Sequence, residues 1–251
     1  MRTSTSTFAA LVALALSAPA APLLAQGTSG GEAFFSSGVM HLRAGRTAMA
    51  LDQFKRAVKA APENPYFRKG LGQAYASGRQ WKEAIKQFRK ALEINPYYVD
   101  IRNDLGSVLV LAGKRDQGRD EFLMAYSDPT NPTPEVSARN LGQAYLDEKN
   151  YTEAINWFRT ALDRTDTYAD SYLGLAEAFV ATERIEEAVV LLESGVEKVP
   201  QDPVLHLALG QVYHRAGRFT EARSQLEDAM RKDPSGLVGQ AAADELARLP
   251  D

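Results

Sequence analysis

The chain has 251 residues, with 29 Lys and Arg against 32 Asp and Glu, so no excess of positive charge recruits nucleic acid by counterion release. It has no cysteine, which excludes disulfides, thiolate metal sites and a cysteine nucleophile. A single 251-residue chain could hold one or two ordinary domains, unless it is built from repeats that pack only on their neighbours.

Residues 1–26 read as a secretory signal peptide. Arg2 is their only charge, residues 8–17 are a short apolar run, and small residues broken by Pro19 and Pro22 follow. Ala20 and Ala25 are the candidate cleavage points. The alternative is an uncleaved anchor, for which the run is short against the ~20 residues of a bilayer span. Residues 27–30 then form a flexible leader.

From residue 31 to residue 234 one pattern recurs. Its clearest copy has Leu71-Gly72, Tyr75, Ala84, Phe88, Ala91 and Pro96, which predicts two amphipathic helices over 66–77 and 81–94 with Gly78 in the turn. Gly72 and Ala84 sit where two helices must approach closely, and Leu71, Tyr75, Trp81 and Phe88 fill the space around them. Pro96 stops the second helix, because it has no N–H and disfavours helix in the residue before it. The first copy carries Gly38, Ala50, Phe54, Ala57 and Pro62. The third carries Leu105-Gly106, Leu109, Phe122 and Ala125, with Gly118 in place of the small Ala. The fourth carries Leu141-Gly142, Tyr145, Ala154, Phe158 and Ala161. The fifth is weaker (Leu175-Ala176, Phe179, Ala188, Leu192, Gly195), and the sixth carries Leu209-Gly210, Tyr213, Ala222, Leu226 and Ala229.

This spacing resembles the tetratricopeptide repeat, a 34-residue helix–turn–helix unit. The resemblance implies an all-α fold: a right-handed superhelical solenoid of six repeats at 31–64, 65–98, 99–134, 135–168, 169–202 and 203–234. Residues 235–251 complete it as a C-terminal capping helix, with Leu237, Val238, Ala241, Ala242, Leu246 and Leu249 as its apolar stripe.

The connection at 126–135, YSDPTNPTPE, holds three prolines and lengthens the repeat period, which predicts a stiff, extended elbow. A tolerated loop insertion is the alternative. This segment and the Ala138-Arg139-Asn140-Leu141-Gly142 that follows are similar to the middle of the six-repeat pilotin family of type IV pilus assembly. That resemblance implies a protein partner such as an outer-membrane secretin subunit. Family members carry a lipidated cysteine at the signal cleavage site; this chain has none, so no lipid anchor is expected and a periplasmic or secreted location is.

Little else points to chemistry. His41, His206 and His214 include no pair with four-residue spacing, and the last two would lie ~12 Å apart along one helix. Gly70-Leu71-Gly72 lies inside a helical repeat with no strand before it, so it reads as helix packing rather than a dinucleotide fingerprint. There is no phosphate loop and no Gly-x-Ser-x-Gly elbow. Glu186-Glu187 reads as a solvated face, and Trp81 and Trp157 as packing. No catalytic residue, cofactor or metal ligand is expected, and a repeat-containing hydrolase or transferase is the disfavoured alternative.

A solenoid offers instead a concave surface lined by the first helix of each pair. The residues facing away from the Leu/Tyr packing stripe are Tyr66, Lys69 and Gln73; Asp100, Asn103 and Ser107; Arg139 and Gln143; Leu173 and Glu177; and Leu207 and Gln211. Lys69, Asn103 and Arg139 are equivalent in successive units and are expected to be exposed, with the cations free for a partner's carboxylate and the amides for peptide backbone. This loosely resembles the clamp by which some tetratricopeptide proteins hold a peptide C-terminus. Polar residues line any exposed helix face, which is the competing reading. Leu173 and Leu207 make the far end of the groove apolar, suited to an amphipathic segment. The function expected is non-enzymatic protein binding in cell-envelope assembly, with pilus secretin assembly as the named case and a general periplasmic scaffold with another client as the alternative.

Overall fold

The computed structural model describes residues 30–250; the expected signal segment lies outside them. Thirteen α-helices and no strand occur among the described residues. They pair as α1 (Gly30–Arg43) with α2 (Thr47–Ala60), α3 (Pro65–Ser77) with α4 (Trp81–Ile94), and α5 (Val99–Leu111) with α6 (Arg115–Ser127). Next come α7 (Pro134–Asp147) with α8 (Tyr151–Arg164), α9 (Ala169–Ala181) with α10 (Ile185–Lys198), and α11 (Pro203–Arg215) with α12 (Phe219–Lys232). The last is α13 (Leu237–Leu246). No helix among the described residues is long and apolar enough to cross a membrane.

Each hairpin packs on the next, and successive odd-numbered helices also touch one another, from α1 through α13. Even-numbered helices touch none of their own kind among the described residues. A stack in which only one layer closes up curves toward that layer. The odd-numbered helices therefore line the inner, concave side, and the even-numbered helices fan out on the convex side.

Within a hairpin the contact is one of a large ring against a missing side chain. Phe88 of α4 is fully buried against Gly72 of α3, where a Cβ would come within 2.8 Å of the ring. Phe158 of α8 is shared between Gly142 of its own unit and Gly174 of the next. The same ring thus sets the spacing inside a unit and between units. In the third unit Gly118 replaces the small Ala because α5 and α6 meet glycine to glycine: a Cβ there would lie 2.8 Å from the Gly106 carbonyl oxygen.

Gly78 lies in the turn between α3 and α4, where the sequence places it. Gly78 has an ordinary φ of −83°, and the left-handed residue is Arg79, at +55°. Its N–H donates to Ala76 O at 2.9 Å and that of Gln80 to Tyr75 O at 2.9 Å, the paired bonds that end a helix with a left-handed residue. Gly45, Gly113, Lys149, Glu183 and Gly217 hold the equivalent place, all with positive φ.

The proline-rich connection is not an extended elbow. Asp128 Oδ1 accepts from the Thr130 amide at 2.8 Å and Asn131 Oδ1 from the Thr133 amide at 2.9 Å, giving two side-chain-closed turns in succession. Asn131 Nδ2 also donates to Ala125 O at 2.7 Å, tying the loop to the end of α6. Contact between α5 and α7 continues across it.

The ends of the array are treated differently. Where α3 presents Phe67, Leu71 and Ala74 toward the preceding unit, α1 presents Ala33, Ser37 and Met40, with Met40 and Ala33 exposed. At the other end α13 lies on α11 and α12 as the first helix of another unit would. Ala242 and Leu249 are buried there, but Leu237, expected in the stripe, is 79% exposed, because it starts the helix on the outward side. Asp233 Oδ2 caps α13 by accepting from the Val238 amide at 3.0 Å.

Candidate protein-interaction groove

The inner face is a set of parallel stripes, one on each odd-numbered helix. Helix α3 is started by Asn64, whose side chain accepts from the amides of Tyr66 and Phe67, with Pro65 in the first turn. Tyr66 then leans on Tyr98, ring centroids 5.0 Å apart. Burial, followed by the neighbouring Tyr98 and Asp100, pushes its hydroxyl up to about 12.

Lys69 is not a free surface cation: only 6% of it is exposed. Its ammonium donates to Asp100 Oδ2 of α5 at 2.6 Å and lies 3.7 Å from Asp104 Oδ2. Burial alone would lower the ammonium, but the charges of Asp104 and Asp100 hold it above its ordinary value. Burial pushes the Asp104 carboxyl up to about 6, with Lys69 pulling the other way and Asp100 adding to the rise. Gln73 Nε2 donates to the same Asp104 at 2.9 Å. Lys69 and Gln73 thus join α3 to α5.

Arg139 repeats the device two units further on. Its Nη1 donates to Asp170 Oδ2 of α9 at 3.3 Å, and its guanidinium lies over the Tyr168 ring at 5.6 Å. Its Nε is buried without an acceptor. Asn103, between the two cations in the repeat frame, is 8% exposed, and its Oδ1 is buried without a donor. Ser107 turns its hydroxyl back to Asn103 O at 3.0 Å, and Gln143 donates to Asp147 Oδ1 at 2.8 Å. Leu173 and Leu207 are half-buried over the core, and Gln211 is half-buried beside them.

The structure therefore brings the sequence-derived positions onto one face but corrects their state. Lys69 and Asn103 are buried, and Lys69 and Arg139 already hold carboxylates of the next unit, which removes the free positive charge expected for a peptide terminus. What sequence reasoning missed was the acid partners, Asp100 or Asp104 for Lys69 and Asp170 for Arg139. The signal was present: in both pairs an Asp follows the cation by one repeat less one helical turn. Among the described residues no group of His, Asp and Glu is placed to hold a metal ion.

Two family models described as tetratricopeptide repeat match the chain, one at residues 37–99, 70–133 and 103–170, the other at 145–206 and 186–245. Among curated proteins, anaphase-promoting complex subunit 3 of Schizosaccharomyces pombe is 23% identical over 166 residues, which are 66% of this chain and 25% of that protein. The TPR repeat-containing thioredoxin TTL4 of Arabidopsis thaliana is 26% identical over 222 residues, 79% of this chain and 32% of that protein. The chain thus spans only about a quarter to a third of these relatives. Among solved structures, PilW, titled a widely conserved type IV pilus biogenesis factor, superposes with a TM-score of 0.71 at 18% identity, covering 86% of this chain and 100% of that one. Pseudomonas aeruginosa PilF gives 0.66 at 20% identity, covering 86% and 97%, and yeast Tom70 gives 0.72 at 17% identity, covering 86% and 46%. At these identities the likeness is one of fold. With repeat matches running through most of its length and ring-on-glycine hairpins stacked in register, the chain belongs to the tetratricopeptide repeat family, whose helical arrays are scaffolds for protein–protein interaction.

Proposed function

We propose that this protein is an exported, non-enzymatic scaffold that holds a protein partner on its concave face during cell-envelope assembly, with the secretin of a type IV pilus as the partner. The observation that carries the reading is end-to-end agreement with PilW: the alignment takes in 100% of that chain and 86% of this one, so the two share an array of similar length and not just a stretch of repeats. The signal-like residues 1–26 and the absence of cysteine support an exported chain without a lipid anchor.

The test is made on native envelope fractions. The mature chain is expected to begin between Ala21 and Gly27, to stay soluble without detergent, and to co-purify with secretin. A chain that still begins at Met1 and is extracted only by detergent overturns the export reading. A second reading, a general adaptor with another client, is favoured by relatives that belong to unrelated machines, such as the anaphase-promoting complex and the BBSome. A correctly processed chain that co-purifies reproducibly with another protein and never with secretin selects that reading.

A further inference from the structure

Helices α7, α9 and α11 present three neighbouring stripes on the inner face. That of α7 is Val136, Arg139, Gln143 and Asp147; that of α9 is Asp170, Leu173 and Glu177; that of α11 is Val204, Leu207 and Gln211. Val136, Leu173 and Leu207 are half-buried and Val204 is 37% exposed, so the floor is apolar and open. Its charge is mostly acidic. Arg139 is already occupied by Asp170, whose side chain remains 64% exposed. Helix α9 contains no basic residue; α11 has the buried His206 near its start, and His214 and the exposed Arg215, two repeats on from Asp147, in its last turn. Glu177 has no hydrogen-bond or cation partner among the described residues, and Asp147 is met only by the Gln143 amide. Burial, and then the charge of Asp147, raises the Glu177 carboxyl above its ordinary value, as expected of an acid lacking a counter-ion.

We infer that this part of the groove takes a cationic amphipathic segment of a partner protein, its apolar side chains on Leu173, Val204 and Leu207 and its Lys or Arg against Asp147 and Glu177. The inference rests on the concave face being the contact surface. Charge complementarity selects the occupant: an acidic segment or a C-terminal carboxylate would meet three carboxylates and a guanidinium already paired, with the cation Arg215 only at the end of α11. A basic segment relieves the Asp147–Glu177 repulsion while covering the apolar floor, where neither term alone gives much affinity.

Three labelled synthetic peptides of equal length test it on the full chain: an amphipathic Leu/Lys peptide, its Leu/Glu counterpart, and a Ser/Lys peptide of equal charge. The Leu/Lys peptide is expected to bind and the other two to bind much more weakly. The Asp147→Asn, Glu177→Gln double variant keeps side-chain size and removes only unpaired charge, so it should fold as the parent does. It is expected to bind the Leu/Lys peptide about tenfold more weakly, with a shallower salt dependence. Equal binding to parent and double variant, or Leu/Glu binding as tight as Leu/Lys, overturns the proposal, as does a parent that binds none of the three. Hydrogen exchange on the same complexes separates this failure from that of the groove reading. Protection of α7, α9 and α11 by the Leu/Glu peptide overturns the charge assignment and keeps the groove; binding with no protection on any odd-numbered helix overturns the groove itself.

Discussion

The Lys69 ammonium of α3 donates to Asp100 of α5 at 2.6 Å from a side chain that is only 7% exposed, so two successive repeats are joined across the inner face by an ion pair whose cation is buried. Its second acid, Asp104, lies 3.7 Å away and is itself mostly covered. Removing the cation from such a cluster leaves carboxylates without compensation. Removing charge from both sides does not.

Lys69→Met keeps most of the apolar stem and deletes the charge. It should cost about 2–3 kcal/mol in urea unfolding at neutral pH, below the full figure for a buried pair because Asp100 remains half exposed. Adding Asp104→Asn should recover most of the loss. A single-variant loss below about 0.5 kcal/mol would place the pair with ordinary surface ion pairs.

Asp104 also gives the fold a pH dependence of known sign. Its folded pKa, about 6, lies above the ordinary 3.8 of an aspartate, so between the two the native chain binds more protons than the unfolded one. Stability from this group is therefore highest below the lower value, falls as pH rises through about 6, and is constant above it. Measured as parent minus Asp104→Asn, unfolding free energy should decline by on the order of 2 kcal/mol between acid and neutral pH. A flat or rising difference would contradict the assignment.

Gly174 and Phe158 should behave as a unit. A Cβ at residue 174 collides with the Phe158 ring, which is fully buried and has nowhere to move. Gly174→Ala should cost about 1–3 kcal/mol by overpacking. Phe158→Leu in the same chain should recover part of that, which thermal melts of the four members of the cycle would show as a non-additive pair.

The left-handed turn residues provide stabilising changes. Arg79, Lys149 and Glu183 have φ of 55°, 61° and 59°, where a side chain is disfavoured, while Gly45, Gly113 and Gly217 occupy the same place without that cost. Each of Arg79→Gly, Lys149→Gly and Glu183→Gly should raise stability by about 0.5–1 kcal/mol, the relief of strain exceeding the extra freedom of the unfolded chain. Gly113→Ala should lower it by a similar amount. Urea midpoints at constant slope would measure both.

The hairpins are legible in the residues alone, because their contacts are local and periodic. Gly72 and Phe88 lie sixteen residues apart, and ring against glycine returns at that spacing in Gly106 with Phe122 and Gly142 with Phe158. Pro at the unit boundaries and Asn64 or Asp202 before a helix mark where helices start and stop. The limit even there is the turn's conformation: Gly78 lies in the turn, but the left-handed residue is Arg79, whose N–H reaches Ala76 O. The state of the inner face is set by contacts between units. Lys69 and Asp100 lie in different units, and whether a cation is open to a partner or closed on its neighbour depends on how closely α3 and α5 approach. Periodicity placed Glu177 and Leu173 on the groove. That Glu177 lacks a cation among the described residues while Asp170 holds Arg139 follows from which side chains the curvature brings together, and curvature is a property of the stack that no single repeat contains.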